Sequence, residues 1–405
     1  MNVCMVAYSF YDSDNRVRRY AESLAQRGEY VEALSLRRPG QAAYEIVRGV
    51  HVHRIQERVV NERGPLSYLI RLLLFFFRSA FFLTKTHLRR PYGLIHVHSV
   101  PDFQVFATLL PRFTGAKIIL DIHDIVPEFY ASKFGVSEQS LAFRLLLLVE
   151  KLSCSFAHHV IIANHIWYEK LLNRSVKTGH CTAMINYPDC SIFYRRPEAA
   201  PDPSRFVLCY PGTLNWHQGL DVAVRALAIV RETVPHAQLW IVGDGAERDN
   251  LKRLVHELGL ADTVLLRGLV PIEGVATIMS SVDLGVVPKR SNSFGNEAFS
   301  TKIMEFMAMG VPVLASETRI DRYYFDGELV RFFQSGSPED MAVKIIELID
   351  NLPDRQALIA KANAFIAQNS WDVKKVDYLS LVDHLVSPTL GAGESATEDR
   401  SRAAL

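Results

Sequence analysis

Two glutamates, Glu297 and Glu305, stand with seven residues between them and enclose Phe299, Ser300, Thr301 and Lys302. Carboxylates accept hydrogen bonds from sugar and ribose hydroxyls. Ser300 and Thr301 are good N-cap types, and the apolar spacing that follows predicts a helix over residues 301–309. The first N–H groups of such a helix have no intrahelical partner and favour an anion. A carboxylate on each side of an anion-binding helix start suits a sugar carried on a diphosphate. The plain alternative is a solvated Glu297 and a helix-stabilising Glu305. Two glycine-bearing turns fit the same chemistry. Gly212, Thr213 and Gln218 lie in YPGTLNWHQGL over 210–220, and Gly243 and Gly245 lie in VGDG over 242–245. Each follows an apolar run and precedes a helical pattern, where glycine lets backbone N–H groups approach phosphate. Either turn alone is equally well a simple tight bend.

The elements that must hold these residues alternate along the chain. Strands are predicted at 2–8, 94–97, 117–120 and 160–163, with helices at 15–27, 102–112 and 139–156. A second series has strands at 206–210, 239–242, 264–266, 284–287 and 311–314, with helices at 221–233, 247–258, 272–281 and 301–309. Helical patterns resume at 339–349 and 355–368. Such alternation predicts an α/β chain with parallel sheets covered on both faces. The proline-rich stretch 195–204 reads as a linker, giving a first domain over 1–195 and a second over 205–369. A helix near 370–386 is expected to complete the first domain, and 387–405 reads as a disordered tail. In such sheets ligands bind beyond the carboxyl ends of the strands. That places His123 and Asp124 after the 117–120 strand, and Asp14 and Arg16 after the first strand, in reach of one cleft.

The net charge of +1 gives no case for nucleic-acid binding, but residues 1–90 hold 15 Lys/Arg against 8 Asp/Glu. Five cysteines without a CxxC argue for free thiols in a reducing compartment. The opening MNVCMVAYSF lacks the basic and apolar pattern of a cleaved leader. Residues 68–83 read YLIRLLLFFFRSAFFL, short of the roughly 20 apolar residues of a span. Arg71 and Arg78 share one face, so the segment reads as an interfacial helix on an anionic membrane, against the alternative of a core helix.

The sequence around Glu297 and Glu305, with its small-residue helix and Gly310-Val-Pro-Val313 strand, resembles the retaining GT-B glycosyltransferases of family 4, or group 1, over about 206–350. The resemblance implies two Rossmann-like domains facing across a cleft and a sugar donor of the UDP or GDP type as co-substrate, with no metal or other cofactor. It implies that Glu297 contacts the donor sugar and Glu305 the ribose. Phe299, Ser300 and Thr301 would bind diphosphate and sugar, and the Gly243–Gly245 turn and Leu269 would cradle the nucleotide. His123 would stabilise the sugar during transfer, with Asp124 on the acceptor side; the family's usual Gly-Gly loop after the first strand is replaced by SFYDSDNRV over 9–17, where Asp14 and Arg16 would contact acceptor or diphosphate. The family's diphosphate-gripping Arg and Lys fall at Thr213 and Gln218, so Lys302, Arg290 or Lys289 must supply the charge. The acceptor would be a glycan or polyprenyl-linked sugar, with the protein peripheral on the cytoplasmic face of the membrane and engaged in cell-surface polysaccharide or glycoconjugate synthesis. Two other readings remain open: a nucleotide-sugar epimerase on the same fold, and a non-catalytic sugar-nucleotide sensor at the membrane.

Overall fold

A computed structural model describes residues 1–58, 65–137, 139–196 and 202–387. Part of the expected linker (197–201) and almost all of the expected tail (388–405) lie outside the described residues.

The first sheet holds β1 (Asn2–Ala7), β2 (Tyr30–Arg37), β3 (Tyr44–Val47), β4 (Val50–Glu57), β5 (Leu94–His98), β6 (Lys117–Ile122), β7 (His159–Ile162) and β8 (Cys181–Ala183), in spatial order β3-β4-β2-β1-β5-β6-β7-β8. All pairings are parallel except β3 with β4. The second holds β9 (Phe206–Pro211), β10 (Ala237–Val242), β11 (Val264–Gly268), β12 (Leu284–Val287), β13 (Val313–Ser316) and β14 (Arg331–Phe333), all parallel, in order β11-β10-β9-β12-β13-β14. Both orders reverse direction at the first strand of the sheet, which is where open α/β sheets place ligands.

Parallel strands need helical crossovers, and right-handed crossovers put helices on opposite faces when the strand order runs in opposite directions. The Asn15–Arg27 helix therefore covers one face of the first sheet, and the Pro65–Arg89, Leu109–Phe113, Leu141–Phe156 and His165–Arg174 helices the other. The core divides accordingly. Tyr20 and Leu24 pack with Val3 and Met5 on the first face, while Phe75, Val105, Cys154 and Trp167 pack with Val6 and Val97 on the second.

The Trp371–Val386 helix returns from the second half of the chain to the first sheet. Trp371 Nε1 donates to Ser23 Oγ at 3.0 Å, and the Tyr378 hydroxyl meets His96 Nδ1 at 3.0 Å. The five cysteines are free thiols, four of them buried.

The apolar segment read over 68–83 is the middle of a longer helix, Pro65–Arg89, of 25 residues. At about 1.5 Å per residue that is long enough to cross a bilayer, and it corrects the expectation of a segment too short to do so. Its inner stripe is core: Leu72, Phe75 and Leu83 are buried, and Phe75 meets Tyr8 edge-on at 5.3 Å. The opposite face of the same helix, with Leu69, Phe77 and Phe81, is exposed.

Candidate active site

Asp121, the last residue but one of strand β6, organises the first domain's half of the cleft. The Arg16 guanidinium forks onto both its oxygens at 2.7 Å, and Oδ2 also lies 3.1 Å from His98 Nδ1 and from His123 Nε2. Burial alone would push the Asp121 carboxyl up, but Arg16, His123 and the hydrogen bonds hold it well below the usual range. Burial lowers His98 and, more strongly, His96. His96, His98 and Asp121 are close enough to hold a metal ion, yet the guanidinium of Arg16 already covers both carboxylate oxygens. The arrangement fixes His123, which is half-buried at the cleft wall.

Arg16, expected to contact acceptor or diphosphate, is forked onto Asp121 and also lines the space between the domains. Its remaining donors go to Met184 O at 2.8 Å and Asn186 Oδ1 at 3.0 Å, and it is only 3% exposed. Asp14 caps the Asn15–Arg27 helix, accepting from Val17 N–H at 3.2 Å. Asp14, His123 and Asp124 together line a cavity of about 230 Å³, which is closed on one side by Tyr68 of the long apolar helix. Burial raises the Asp124 carboxyl, partly offset by His123.

A second cavity, of about 380 Å³, lies between the domains. Ser9, Asp14, Arg16, Arg19, Arg58 and His123 of the first domain face Thr301 and Glu305 of the second across it. Burial raises Glu305, with Lys302 and Arg19 opposing. Arg19 is lowered to about 10 by burial and by the neighbouring Arg16. One Arg19 nitrogen donates to Asn186 Oδ1 at 2.8 Å, while its buried Nε has no partner among the described residues. A single arginine in a helical run carries no sequence mark of this exposure to the cleft.

The two glycine turns pack against each other beside Lys302. Gly212 N–H donates to Val242 O at 2.8 Å, and a Cβ on Gly243 (φ 145°) would fall 1.9 Å from Gly212 O. A Cβ on Gly245 would meet Leu214 O at 2.5 Å. These glycines are required for the two loops to touch, whatever else they bind. Lys302 lies across the Gly212 turn, its Cε 2.6 Å from where a Cβ there would be, with its ammonium 5.2 Å from the Tyr210 ring centroid. The other two candidate cations are engaged. Lys289 pairs with Asp321 at 3.0 Å and donates to Ala298 O, and Arg290 grips both oxygens of Asp221 at 2.7 Å. Thr213 O accepts from the Tyr210 hydroxyl at 3.1 Å, and Gln218 closes the short turn Trp216–Gln218. Leu269 is exposed beyond β11.

The segment 291–300 departs from expectation. Ser300 occupies the N-cap of the Thr301–Ala308 helix, but its side chain makes no capping bond. Phe299 is turned into an aromatic cluster, 4.9 Å from Tyr324, rather than toward the cleft. Glu297 is held by the first domain. Lys170 Nζ donates to its carboxylate at 2.7 and 3.0 Å, Trp167 Nε1 donates at 3.2 Å, and Asn164 donates to its carbonyl at 2.9 Å. Lys170, Trp167 and Asn164 lie in or just before an unremarkable amphipathic helix, and nothing in the sequence pairs them with a residue over a hundred positions away.

A profile of the family "Glycosyl transferases group 1" matches residues 193–365, and one of the "Glycosyl transferase 4-like domain" matches 13–186. The chain belongs to the group 1 glycosyl transferases. It is 29% identical over 195 residues to the D-inositol 3-phosphate glycosyltransferase of Paenarthrobacter aurescens, a match that takes in 46% of this chain and 47% of that protein. The chain thus matches about half the length of that relative. Its fold is that of the sucrose-phosphate synthase of Thermosynechococcus elongatus, with TM-score 0.78 and 21% identity over 96% of this chain and 100% of that one. It is also that of Anabaena HepE in complex with UDP-glucose, with TM-score 0.71 and 16% identity over 95% of this chain and 100% of that one.

Proposed function

We propose that this glycosyltransferase moves a sugar from a nucleoside diphosphate sugar to a hydroxyl of a glycan or lipid-linked acceptor, with retention of anomeric configuration, in cell-surface polysaccharide or glycoconjugate synthesis. The observation that carries the reading is the cavity between the domains, where Glu305 and Thr301 at a helix start face Arg19 and His123. Glu305 would accept from ribose hydroxyls. Lys302 and Arg19, one from each domain, would neutralise the diphosphate in place of the cations missing at Thr213 and Gln218. The acceptor hydroxyl would attack the anomeric carbon on the face from which the diphosphate departs, and a diphosphate oxygen would take the hydroxyl proton. The protein's task is then positioning and stabilising charge on the leaving group. His123, held by Asp121, would face the sugar, and no step needs a metal.

The acceptor reading draws on the smaller cavity, which runs from His123 and Asp124 to Tyr68 on the long apolar helix. Beyond Tyr68 the outer face of that helix exposes Leu69, Ile70, Leu73, Leu74, Phe77 and Phe81, the last two to 65% and 70%. An acceptor pocket beside an exposed apolar helix suits a substrate anchored in the bilayer. The protein would sit peripherally on the cytoplasmic face of the membrane.

A panel of UDP and GDP sugars tests the reading through ligand-linked stabilisation, about 2.7 kcal/mol at a hundredfold excess over Kd, followed by turnover. Slow donor hydrolysis or transfer supports it. Interconversion of the sugar would make the chain an epimerase, and binding without turnover a sensor.

A further inference from the structure

We infer that the membrane contact is a composite platform of three helices, in which the Leu141–Phe156 helix is a second lipid-facing element beside Pro65–Arg89. This rests on the peripheral-membrane reading above and extends it to a part of the chain whose sequence gives only an ordinary amphipathic pattern.

The topology places the three helices in one layer. Pro65–Arg89, Leu109–Phe113 and Leu141–Phe156 follow crossovers that run in the same direction, so they cover the same face of the first sheet. Their inner residues share one core cluster, containing Phe75 and Leu83 of the first and Cys154 of the third. The short middle helix and the turn before it join the other two. Thr114 Oγ1 lies 2.9 Å from His87 Nε2 on one side, and Arg112 Nε donates to Phe156 O at 2.6 Å on the other. Phe103 meets Phe76 at 6.1 Å, and Phe106 meets Phe156 at 5.1 Å.

Residues not turned into that core point away from the sheet, and they are strongly apolar. Leu141, Leu145, Leu148 and Leu152 form a stripe at helical spacing, with Leu141 84% exposed. Leu109 and Phe113 of the middle helix, the latter 73% exposed, lie between this stripe and that of the long helix. An exposed apolar stripe on each of three neighbouring helices exceeds the scattered single residues ordinary on a soluble surface.

Charge selects the occupant. The three helices carry Arg71, Arg78, Lys85, Arg89, Arg112, Arg144 and Lys151. Their one acidic residue, Glu150, is buried and bonded to Arg174 at 2.6 Å. Leucine and phenylalanine among basic residues, with no exposed acid, match the headgroup and acyl boundary of an anionic bilayer. A protein partner would need shaped pockets for such side chains, and a second copy of this chain would bring the same basic residues against themselves.

The test compares the full-length protein with two variants in sedimentation with protein-free vesicles, either phosphatidylcholine alone or mixed with phosphatidylglycerol. The variants are Leu141→Ser with Leu145→Ser and Leu148→Ser, and Leu73→Ser with Phe77→Ser and Phe81→Ser. Every one of these positions is exposed, and far-UV circular dichroism and thermal unfolding check that each variant folds. The platform predicts that the wild type binds anionic vesicles, that salt releases it, and that each variant loses at least about tenfold in partitioning. A Leu148→Trp protein should also show extra fluorescence quenching by brominated lipid, over the wild type, on the same vesicles. If the first variant binds like wild type and the Leu148→Trp protein shows no quenching beyond wild type, the second helix is refuted while the single-helix reading stands. If wild type ignores anionic vesicles altogether, both fail. Should either triple variant unfold, quenching of the Leu148→Trp protein alone decides.

Discussion

Replacing Lys302 with methionine tests the proposal that this cation holds the diphosphate, apart from those that hold the fold. The ammonium lies across the Gly212 turn and over Tyr210, half-buried, and makes no hydrogen bond or ion pair among the described residues. It sits in the first turn of the Thr301–Ala308 helix, where a positive charge opposes the dipole by about 0.3–1 kcal/mol. The ligand-free Lys302→Met protein should therefore be equal to wild type or up to about 1 kcal/mol more stable in urea denaturation. A charged hydrogen bond to the diphosphate is worth about 1.5–3 kcal/mol, so UDP or GDP affinity by calorimetry should fall by about 10- to 100-fold. The pH dependence gives a second signature. Burial lowers the Lys302 ammonium below its ordinary value, with Glu305 opposing. Between the folded and unfolded values the unfolded chain binds the extra proton, so this group makes ligand-free stability rise as pH rises through that window. Diphosphate affinity should fall over the same window, and Lys302→Arg should keep it flat. Equal nucleotide affinity in wild type and Lys302→Met, with superimposable pH profiles, would refute the assignment and pass the role to Arg19.

Glu305→Gln should raise donor KM more than it lowers kcat, by the roughly 1.5–3 kcal/mol of a charged hydrogen bond; unchanged donor KM would remove the ribose role. His123→Ala should lower kcat by about tenfold or more with an unchanged unfolding curve; wild-type turnover would mark His123 as merely solvated. Lys170→Met strips Glu297 of its cation and should lower kcat by about tenfold while UDP inhibition is unchanged, since it alters the sugar side and not the nucleotide; steady-state kinetics with UDP as inhibitor reads both, and a matching loss of UDP affinity contradicts it. Asp121→Asn leaves Arg16 buried without its carboxylate and should cost about 3–5 kcal/mol in urea denaturation; a loss under about 1 kcal/mol would show that the Arg16 fork is dispensable.

Parts of this architecture that depend on local pattern were legible in the sequence. The 15–27 helix and the 284–287 strand have the observed bounds, because hydrophobic period and flanking caps specify them locally. Strand β2 alternates tightly with β4 but carries Glu32, Ser35 and Arg37, and this polar content hid it. Its Glu32 is admitted to the core because Tyr92 donates to it at 2.6 Å and Arg90 lies 3.3 Å away, a partnership from another part of the chain. The same limit applies at the site. Glu297, Glu305 and His123 could be marked by type and position, but the Arg16–Asp121 and Lys170–Glu297 pairs join residues over a hundred positions apart. Phe299 shows the converse case, since an aromatic beside the donor loop could face cleft or core, and its ring packs with Tyr324 and Phe325.

The two halves of the site are held by unequal means, and that bears on how the cleft can work. The first domain's half is centred on a fully buried carboxylate with Arg16, His98 and His123 around it, so its geometry survives any movement between domains. In the second domain's half, the 291–300 segment is tied to its own domain through Ser335, Arg319 and Lys289, and it also reaches into the first. Phe294 is buried among first-domain residues, 5.3 Å from Phe129 and 6.3 Å from Trp167, and Glu297 is held by Lys170 and Trp167. Separating the domains must re-expose Phe294, at about 1.5–3 kcal/mol, and break the Lys170–Glu297 pair. Glu297 then loses its positioning at the same moment as the cleft loses its walls. On the reading proposed above, Glu305 and Lys302 would keep their place within the second domain in an open molecule, while the contacts of Glu297 with Lys170 and Trp167 would form only on closure.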